Sequence, residues 1–172
     1  MEISKLAPAD FESELAGLAA LLHACVLDGA SIGFILPFTM NDAEGFWRDK
    51  VYPAVAHGTR IVLVARLDGE TAGTVQLDYD TPGNQLHRAE VRKLLVHPRF
   101  RRRGIAKALM AEIEAMATGL GRSLITLDTR TNDMAEPLYT GLGYQIAGVI
   151  PGYCRDTLSD RLDPTTVMYK NL

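Results

Sequence analysis

The stretch from Val91 to Thr129 constrains the fold of this chain more than any other. It contains an apolar strand, a basic loop, a long helical segment and a second apolar strand, SLITLDT. In the helical segment, GIAKALMAEIEAMATGLG, Ile105, Leu109 and Ile113 repeat every four positions, which predicts an amphipathic helix. Neighbouring strands joined through a helix run parallel, with a right-handed crossover. We therefore expect one parallel strand pair at this point of the sheet.

The segments on either side of this unit predict helices and antiparallel strands. One helix is predicted over Asp10 to Val26, and a second over AEGFWRDKVYPAVAHG, capped by Asn41 or Asp42 and interrupted near Pro53. TRIVLVAR and TAGTVQLDY, joined by an Asp-Gly turn, predict a β-hairpin that HRAEVRKLLVHP continues. A helix over EPLYTGLGY and strands around QIAGVI and TTVMYK follow. Residues 1–172 are thus predicted to form one α/β domain with a mixed, mostly antiparallel sheet flanked by helices.

The composition argues against several classes of protein. A formal charge of −3 argues against general binding to nucleic acid or to a membrane surface. The two cysteines form no Cys-x-x-Cys pair and no histidine has a zinc-ligand spacing, so we expect no metal and a reducing compartment. No apolar run has the length of a membrane span, and MEISKLAPADFESEL has no signal-peptide core. We interpret the chain as a cytoplasmic protein.

The loop HPRFRRRGIA places four arginines beside a glycine at the predicted start of the long helix. The first turn of a helix exposes unpaired backbone N–H groups and the positive end of the helix dipole, which together suit a phosphate. Gly104 allows a ligand to approach the backbone closely, and Ala106 keeps the first turn narrow. The predicted anion site comprises Arg101, Arg102, Arg103, Gly104, Ile105, Ala106 and Lys107. A solvated basic loop without a ligand is the alternative.

Two motifs resemble those of the GCN5-related N-acetyltransferases, the GNAT family. RRRGIA matches that family's R/Q-x-x-G-x-G/A signature, and NDMAEPLYTGLGY is similar to its N-x-x-A-x-x-L-Y-x-x-x-G-[FY] block. The resemblance covers Thr59 to Leu172 and implies a GNAT-type acyltransferase fold, with acetyl-CoA as acetyl donor and its pyrophosphate on the predicted anion site. It also implies that the pantetheine arm lies along the backbone of Leu94, Leu95 and Val96. Asn132 would contact a ligand, with helix capping as its alternative role.

Further segments are similar to the tabtoxin-resistance acetyltransferases within that family, namely GASIGF, HRAEVRKLLV, LDT, PGYC and RLDPT. This similarity implies transfer to the primary amine of a small amino-acid-like acceptor, with a β-lactam toxin, and hence toxin resistance, as one candidate. Acceptor selectivity would come from Gly29 to Phe38 and from Gly152 to Pro164, where Arg155 and Arg161 are candidates to pair with an acceptor carboxylate. Two alternatives stay open: a protein lysine or amino terminus as acceptor, and a non-catalytic acyl-CoA-binding sensor.

Acetyl transfer to an amine requires a base for the amine, stabilisation of the carbonyl oxygen and a proton for the departing sulfur. The resemblance places Glu90 and Asp128 at a gap between two splayed strands, as base or as amine-binding groups. A salt bridge with Arg92 is the alternative for Glu90, and capping of the following segment is the alternative for Asp128. A backbone N–H of Leu95 or Val96 is the candidate donor to the carbonyl oxygen.

Tyr139 is the candidate general acid. A tyrosine pKa of about 10 lies above that of a thiol, about 8.5, so the phenol stays protonated at neutral pH and can protonate the sulfur. Packing of its ring in the core is the alternative role. With Asp133 as N-cap of this helix, Pro137 falls at the fourth helical position and removes an early hydrogen bond. Cys154 is expected to line the acceptor pocket, and apolar segments near the carboxyl end permit a homodimer.

Overall fold

Seven strands form one sheet that contains segments from both ends of the chain. The computed structural model describes all residues, 1–172. The strands are β1 (Glu2–Lys5), β2 (Arg60–Leu67), β3 (Glu70–Asp78), β4 (Arg88–Val96), β5 (Leu124–Arg130), β6 (Gln145–Arg155) and β7 (Leu162–Asn171). Their order is β1-β2-β3-β4-β5-β7-β6. Only β4 and β5 run parallel, and the other neighbouring pairs are antiparallel. The predicted mixed sheet and its one parallel pair are confirmed.

Helices flank this sheet. They are α1 (Phe11–Leu27), α2 (Met40–Phe46), α3 (Tyr52–Ala56), α4 (Ile105–Gly119) and α5 (Ala135–Gly141). A π-helical segment, Trp47–Val51, links α2 to α3, so the interruption predicted near Pro53 is present. None of the helices combines the length and the apolar character that crossing a bilayer requires.

Two features at the amino-terminal end differ from the predicted pattern. Strand β1 was not predicted, because its four residues are too few to show an alternating pattern; it pairs antiparallel with β2 at the sheet edge. The N-cap of α2 is Thr39, and neither Asn41 nor Asp42 occupies that position. The Thr39 hydroxyl accepts a hydrogen bond from the N–H of Asp42 at 3.2 Å, and the Asp42 carboxylate accepts one from the N–H of Thr39 at 2.8 Å. This reciprocal pair is a capping box.

The start of α5 also differs. Its N-cap is Met134 rather than Asp133, so Pro137 occupies the third helical position instead of the fourth. Backbone N–H groups in the first helical turn have no acceptor within the helix. The hydrogen bond expected to be lost at Pro137 is therefore never formed, and the proline fits the first turn of the helix that carries Tyr139.

Each face of the sheet packs against its own layer of helix. Along β2, Ile61 and Leu63 belong to the core that α4 covers, while Val62 and Val64 belong to the core that α1 covers. Successive side chains of a strand point to opposite faces, which explains this alternation. Trp47 is fully buried in the α1 core and donates its indole N–H to the carbonyl of Leu18 at 3.1 Å. The two cores fix the sheet between helices.

The two central strands separate part of the way along their length. β4 and β5 pair only at Arg88–Leu124, Ala89–Ile125 and Glu90–Thr126, although both strands continue beyond these pairs. On its other side β4 stays paired with β3, with a register shift opposite Lys93. Lys93 has a φ of 50°, so the shift is a β-bulge. The separation leaves a gap in the middle of the sheet with one unpaired edge of β4 facing it.

Edge strand β6 carries exposed apolar side chains, among them Ile146, Val149 and Ile150. They lie near the carboxyl end, where apolar segments were expected to permit a homodimer. The oligomeric state stays a prediction.

Candidate functional site

A cleft of about 990 Å³ occupies the gap between β4 and β5. The second half of β4 forms one wall and the end of β5 with α5 forms the other. The start of α4 lies at one end, and the loop from Gly29 to Gly33 with Tyr153 and Cys154 lies at the other. This volume suits a large ligand or two smaller ones together. Cys154 lines the cleft as predicted.

The start of α4 presents a set of free backbone donors to the cleft. The N–H groups of Arg102, Arg103 and Gly104 have no acceptor in the chain. Those of the first helical turn, Ile105 to Lys107, have none within the helix. Arg102 and Gly104 have φ values of 62° and 79°, and such left-handed residues are a feature of the backbone nests that bind anions. No heavy atom lies within 4 Å of a Cβ built on Gly104, so the space in front of this backbone is open.

The basic side chains of this loop differ in their surroundings. Arg102 and Lys107 line the cleft and form no salt bridge, while Arg101 lines it and pairs with Asp28 at 2.5 Å. Arg103 does not line the cleft, and its guanidinium lies 5.6 Å from the ring centroid of Phe100. The backbone from Gly104 to Lys107 also lines the cleft. The residues predicted to bind an anion therefore lie together at one end of the cleft, except for Arg103, and their role stays a prediction.

The strand predicted to bind pantetheine borders the cleft. Leu94, Leu95 and Val96 line the cleft along the unpaired edge of β4. Asn132 does not line the cleft; it has a φ of 62°, and its N–H donates to the carboxylate of Glu136 at 2.9 Å. Since the N-cap of α5 is Met134, Asn132 holds the turn before the helix and does not cap it. Its predicted ligand contact has no support in this geometry.

Glu90 and Asp128 lie on the two walls of the cleft, one on each separated strand. Glu90 forms the salt bridge with Arg92 that was its alternative role, at 2.9 Å, and it also borders a polar pocket of about 150 Å³. Asp128 forms no salt bridge and accepts a hydrogen bond from the Thr165 hydroxyl at 3.1 Å. Of the two carboxylates, Asp128 is therefore the one without a cationic partner.

Tyr139 packs in the core and also reaches the cleft. Only 6% of its surface is exposed and its ring packs edge-on against Tyr144, with centroids 5.7 Å apart. It also lines the cleft, and its hydroxyl has no hydrogen-bond partner within the chain. Burial, reinforced by the negative charge of Asp128, raises the pKa of Tyr139 well above its ordinary value. The phenol is therefore protonated at any physiological pH.

Hydrogen bonds join two segments at the far end of the cleft. The Ser31 hydroxyl lies 3.5 Å from the Cys154 sulfur, and the Thr157 hydroxyl donates to the carbonyl of Ala30 at 2.9 Å. The N–H of Leu36 donates to the carbonyl of Thr157 at 3.2 Å. The segments predicted to select the acceptor, Gly29 to Phe38 and Gly152 to Pro164, are thus joined over this end.

The arginines expected to meet an acceptor carboxylate are already paired. Arg155 forms a salt bridge with Asp160, and Arg161 pairs with Asp163 at 2.6 Å and with Asp156 at 3.7 Å. Neither arginine lines the cleft. That expectation was wrong, because the loop contains as many nearby aspartates as it needs to neutralise both side chains.

Two cleft residues were missed in the sequence. Arg130, at the end of β5, forms salt bridges with Asp133 at 3.1 Å and Asp156 at 3.1 Å, and so ties β5 to the carboxyl-terminal hairpin. Lys93 projects from the bulge of β4 towards the loop that follows α1. The bulge depends on the register of β3 against β4, which alternation in one strand does not reveal.

Comparison with known proteins agrees with this geometry. The model of the acetyltransferase (GNAT) family matches residues 34–144, which include the free N–H groups of the α4 start, both cleft carboxylates and Tyr139.

Several solved structures share the fold. A ribosomal-protein-alanine N-acetyltransferase from Brucella melitensis is 21% identical, with 100% of each chain covered and a TM-score of 0.77. A GNAT superfamily phosphinothricin acetyltransferase from Sinorhizobium meliloti, in complex with acetyl-CoA, is 20% identical over 99% of this chain and 88% of that one, with a TM-score of 0.78. The Salmonella typhimurium protein yncA, solved with its cofactor acetyl-CoA, is 18% identical over 100% and 94%, with a TM-score of 0.77. Because the family model matches more than half of its residues, this chain belongs to the GNAT family of acetyltransferases.

Proposed function

We propose that this protein transfers the acetyl group of acetyl-CoA to the primary amine of a small amino-acid-like molecule. Its family membership makes it an acetyl-CoA-dependent N-acetyltransferase, and the class of acceptor is the proposed part. One observation carries the proposal. A single cleft joins the free N–H groups of the α4 start to Glu90, Asp128 and Tyr139, and two loops that contact each other border it.

The residues present fit the donor. The free N–H groups from Arg102 to Lys107 suit a pyrophosphate, since unpaired donors at a helix start stabilise negative charge. Arg102 and Lys107 line the cleft and have no carboxylate partner, so their charge is available to the nucleotide. The unpaired edge of Leu94 to Val96 offers backbone hydrogen bonds to an extended amide chain such as pantetheine. When bound this way, acetyl-CoA would supply an activated carbonyl carbon for the amine to attack.

The carboxylates divide the work on the amine. An alkylamine is a cation at neutral pH, and two carboxylates facing one gap attract it. Asp128 takes one proton from the ammonium, because it has no cationic partner to compete with that proton. Glu90, oriented by its salt bridge with Arg92, holds the amine in place.

Tyr139 completes the proton balance. The neutral nitrogen forms a bond to the thioester carbon, the carbon–sulfur bond breaks, and Tyr139 donates its phenolic proton to the sulfur. The second proton of the nitrogen restores the phenol. The products are the N-acetylated amine, the thiol of CoA and the proton held by Asp128. A backbone N–H of Leu95 or Val96 is the proposed donor to the carbonyl oxygen.

The contacts between the two loops at the acceptor end support a compact acceptor. Hydrogen bonds such as Ser31 to Cys154 hold these loops together, which leaves less room for an extended peptide than two separate loops would. A β-lactam amino-acid toxin is one candidate, on the resemblance of GASIGF and PGYC to the tabtoxin-resistance enzymes. A protein amino terminus is the second candidate, because one of the similar structures is a ribosomal-protein-alanine N-acetyltransferase.

Thiol release from acetyl-CoA tests the acceptor class. We expect turnover with free amino acids or β-lactam amino acids at a kcat/KM at least about tenfold above that for peptides, since each wrong or missing contact of 1.4 kcal/mol changes the rate tenfold. Polyamines and buffer alone serve as controls. A preference for peptides would replace the first candidate by the second, and acetyl-CoA binding without any turnover would indicate the acyl-CoA-binding sensor.

Substitution of Gly104 tests the anion site. At a φ of 79° a valine is strained by about 1–3 kcal/mol, and relief of that strain moves the N–H groups that face the phosphates. We expect Gly104→Val to weaken acetyl-CoA binding at least about tenfold in calorimetry, because hydrogen bonds to charged groups contribute about 1.5–3 kcal/mol each. Gly121→Val is the matched control, since Gly121 has a φ of 70°, equally open surroundings and a place beyond the other end of α4. Equal affinities of the two variants would contradict the assignment.

Substitution of Tyr139 tests the general acid. We expect Tyr139→Phe to lower kcat about 10²- to 10⁴-fold while the acetyl-CoA affinity stays within about twofold, because only the proton donor is removed. Tyr144→Phe is the control, since that hydroxyl is buried against the same ring and does not line the cleft. Steady-state kinetics with calorimetry measures both quantities. A parallel loss of turnover and donor binding would mean that Tyr139 only packs.

The division between the carboxylates has its own test. We expect Asp128→Asn to lower kcat about 10²-fold or more, because the proton acceptor is gone. Glu90→Gln is expected to raise KM for the amine about tenfold with a smaller effect on kcat, since it weakens binding of the cation. The reverse pattern would assign the base to Glu90.

A further inference from the structure

Lys93 is an unusual cation at the acceptor end of the cleft. The β-bulge places it in a left-handed backbone conformation, with a φ of 50°, and its side chain reaches the loop between α1 and α2. There its ammonium donates a hydrogen bond to the carbonyl of Ile32. It lies 5.6 Å from the ring centroid of Phe34 and 5.8 Å from that of Phe46. The residue lines the cleft on the side of the segment that closes it.

This ammonium has no carboxylate partner. Other cations that line the same part of the cleft are neutralised: Arg92 pairs with Glu90 at 2.9 Å, and Arg130 pairs with Asp133 and Asp156. The remaining unpaired cations of the cleft belong to the start of α4, which lies at the other end. Lys93 is thus the one cation of the acceptor end whose charge is not balanced by a salt bridge.

The surroundings of Lys93 shield its ammonium from water. Burial lowers the pKa of Lys93, the neighbouring positive charge of Arg92 lowers it further, and the negative charge of Asp128 opposes both. The rings of Phe34 and Phe46 stabilise the cation but carry no negative charge that would neutralise it. The half-buried ammonium makes one hydrogen bond and keeps further N–H donors free. Its interaction with an anionic ligand is stronger than that of an exposed lysine, because less water competes for the ammonium.

We propose that Lys93 binds the carboxylate of the acceptor while Glu90 and Asp128 hold its amine. Two carboxylates and one unpaired ammonium around one space are complementary in charge to a zwitterion. The acceptor would then be an amino acid, or a compound with the same pair of groups, rather than a simple amine. This inference rests on the proposed function, and it assigns to Lys93 the task that Arg155 and Arg161 cannot perform.

The competing explanation is that Lys93 only stabilises the loop, through its hydrogen bond to the carbonyl of Ile32. The two explanations differ in what they predict for acceptors with and without a carboxylate. Loss of a purely structural residue lowers the acetylation rate of both kinds of acceptor equally. Loss of a residue that binds the carboxylate lowers the rate only for the acceptor that carries one. The measurement is therefore the ratio of kcat/KM for an amino acid to kcat/KM for its carboxamide, since comparing variants by this ratio cancels the difference in amine basicity.

The experiment compares Lys93→Met, Lys93→Gln, Lys93→Arg and the control Lys50→Met with the unsubstituted protein. Methionine keeps the aliphatic stem, glutamine also keeps a donor for Ile32, and arginine keeps the charge. Lys50 is an exposed lysine outside the cleft. The acceptor pair is the free amino acid that the unsubstituted protein acetylates best and its carboxamide. Thermal unfolding of each variant reports whether it is folded.

We expect the acid-to-amide ratio to fall about 10- to 100-fold in both Lys93→Met and Lys93→Gln, which is the range for losing a hydrogen bond to a charged group. Lys93→Arg is expected to restore most of the ratio, and Lys50→Met to match the unsubstituted protein. A ratio that stays constant while both rates fall would overturn the inference and show that Lys93 only stabilises the loop. If the unsubstituted protein acetylates amines without preferring those that carry a carboxylate, the inference fails and the acetyl transfer stands. Failure to acetylate any amine would overturn the proposed function itself.

Discussion

The structure depends on the point at which β4 and β5 stop pairing. After Glu90 and Thr126 the two strands give up the hydrogen bonds that a continuous sheet would make. Unpaired backbone groups inside a protein are costly, and this edge becomes stable only when water or a ligand satisfies it. The gap therefore acts as a preformed binding site. Because α4 follows β4 directly, the same strand that opens the gap also delivers a helix start to its end.

The charges around the gap fall into two groups with different physical roles. One group is paired: Arg130 holds Asp133 and Asp156, and Arg101 holds Asp28. These pairs fix the loops and β7–β6 hairpin that surround the cleft, and they leave little net charge. The second group is unpaired and faces the cleft, and it contains Arg102, Lys107, Lys93 and Asp128. No salt bridge within the protein neutralises the charges of this second group, so they are available to a ligand.

The order of elements could be read from the sequence because each element carries its own periodicity. Ile61 to Val64 alternate between two cores, and Leu109 with Ile113 mark one face of α4. Strand β1 could not be read, since four residues carry too little pattern and its pairing with β2 is made across more than fifty intervening residues. Thr39 was not identified because α2 begins at Met40, ahead of the predicted segment that starts at Ala43, and the apolar pattern has not begun there.

The site was predictable where it depends on local sequence and not where it depends on register. Gly104, Arg102 and Lys107 follow one another in a motif, so their joint position at a helix start could be expected. The position of the Lys93 side chain could not be predicted, because its direction is set by a bulge that forms only when β4 pairs with β3. Arg155 and Arg161 were assigned to a ligand because one sequence does not show which aspartates fold against them. The homodimer stays a prediction for the same reason, since exposed apolar side chains on a strand do not identify the surface that binds them.

Amide hydrogen exchange with and without acetyl-CoA tests the central claim most directly, because it reports on individual backbone N–H groups. The account predicts that the donor slows exchange from Arg102 to Lys107 and along the second half of β4, and leaves β1 and β2 unchanged. The N–H groups of Arg102 to Gly104 have no acceptor in the free protein, so their exchange should change most. Slowing confined to other parts of the sheet, or none at the start of α4, would contradict the claim that the separated strands and the helix start together hold the donor.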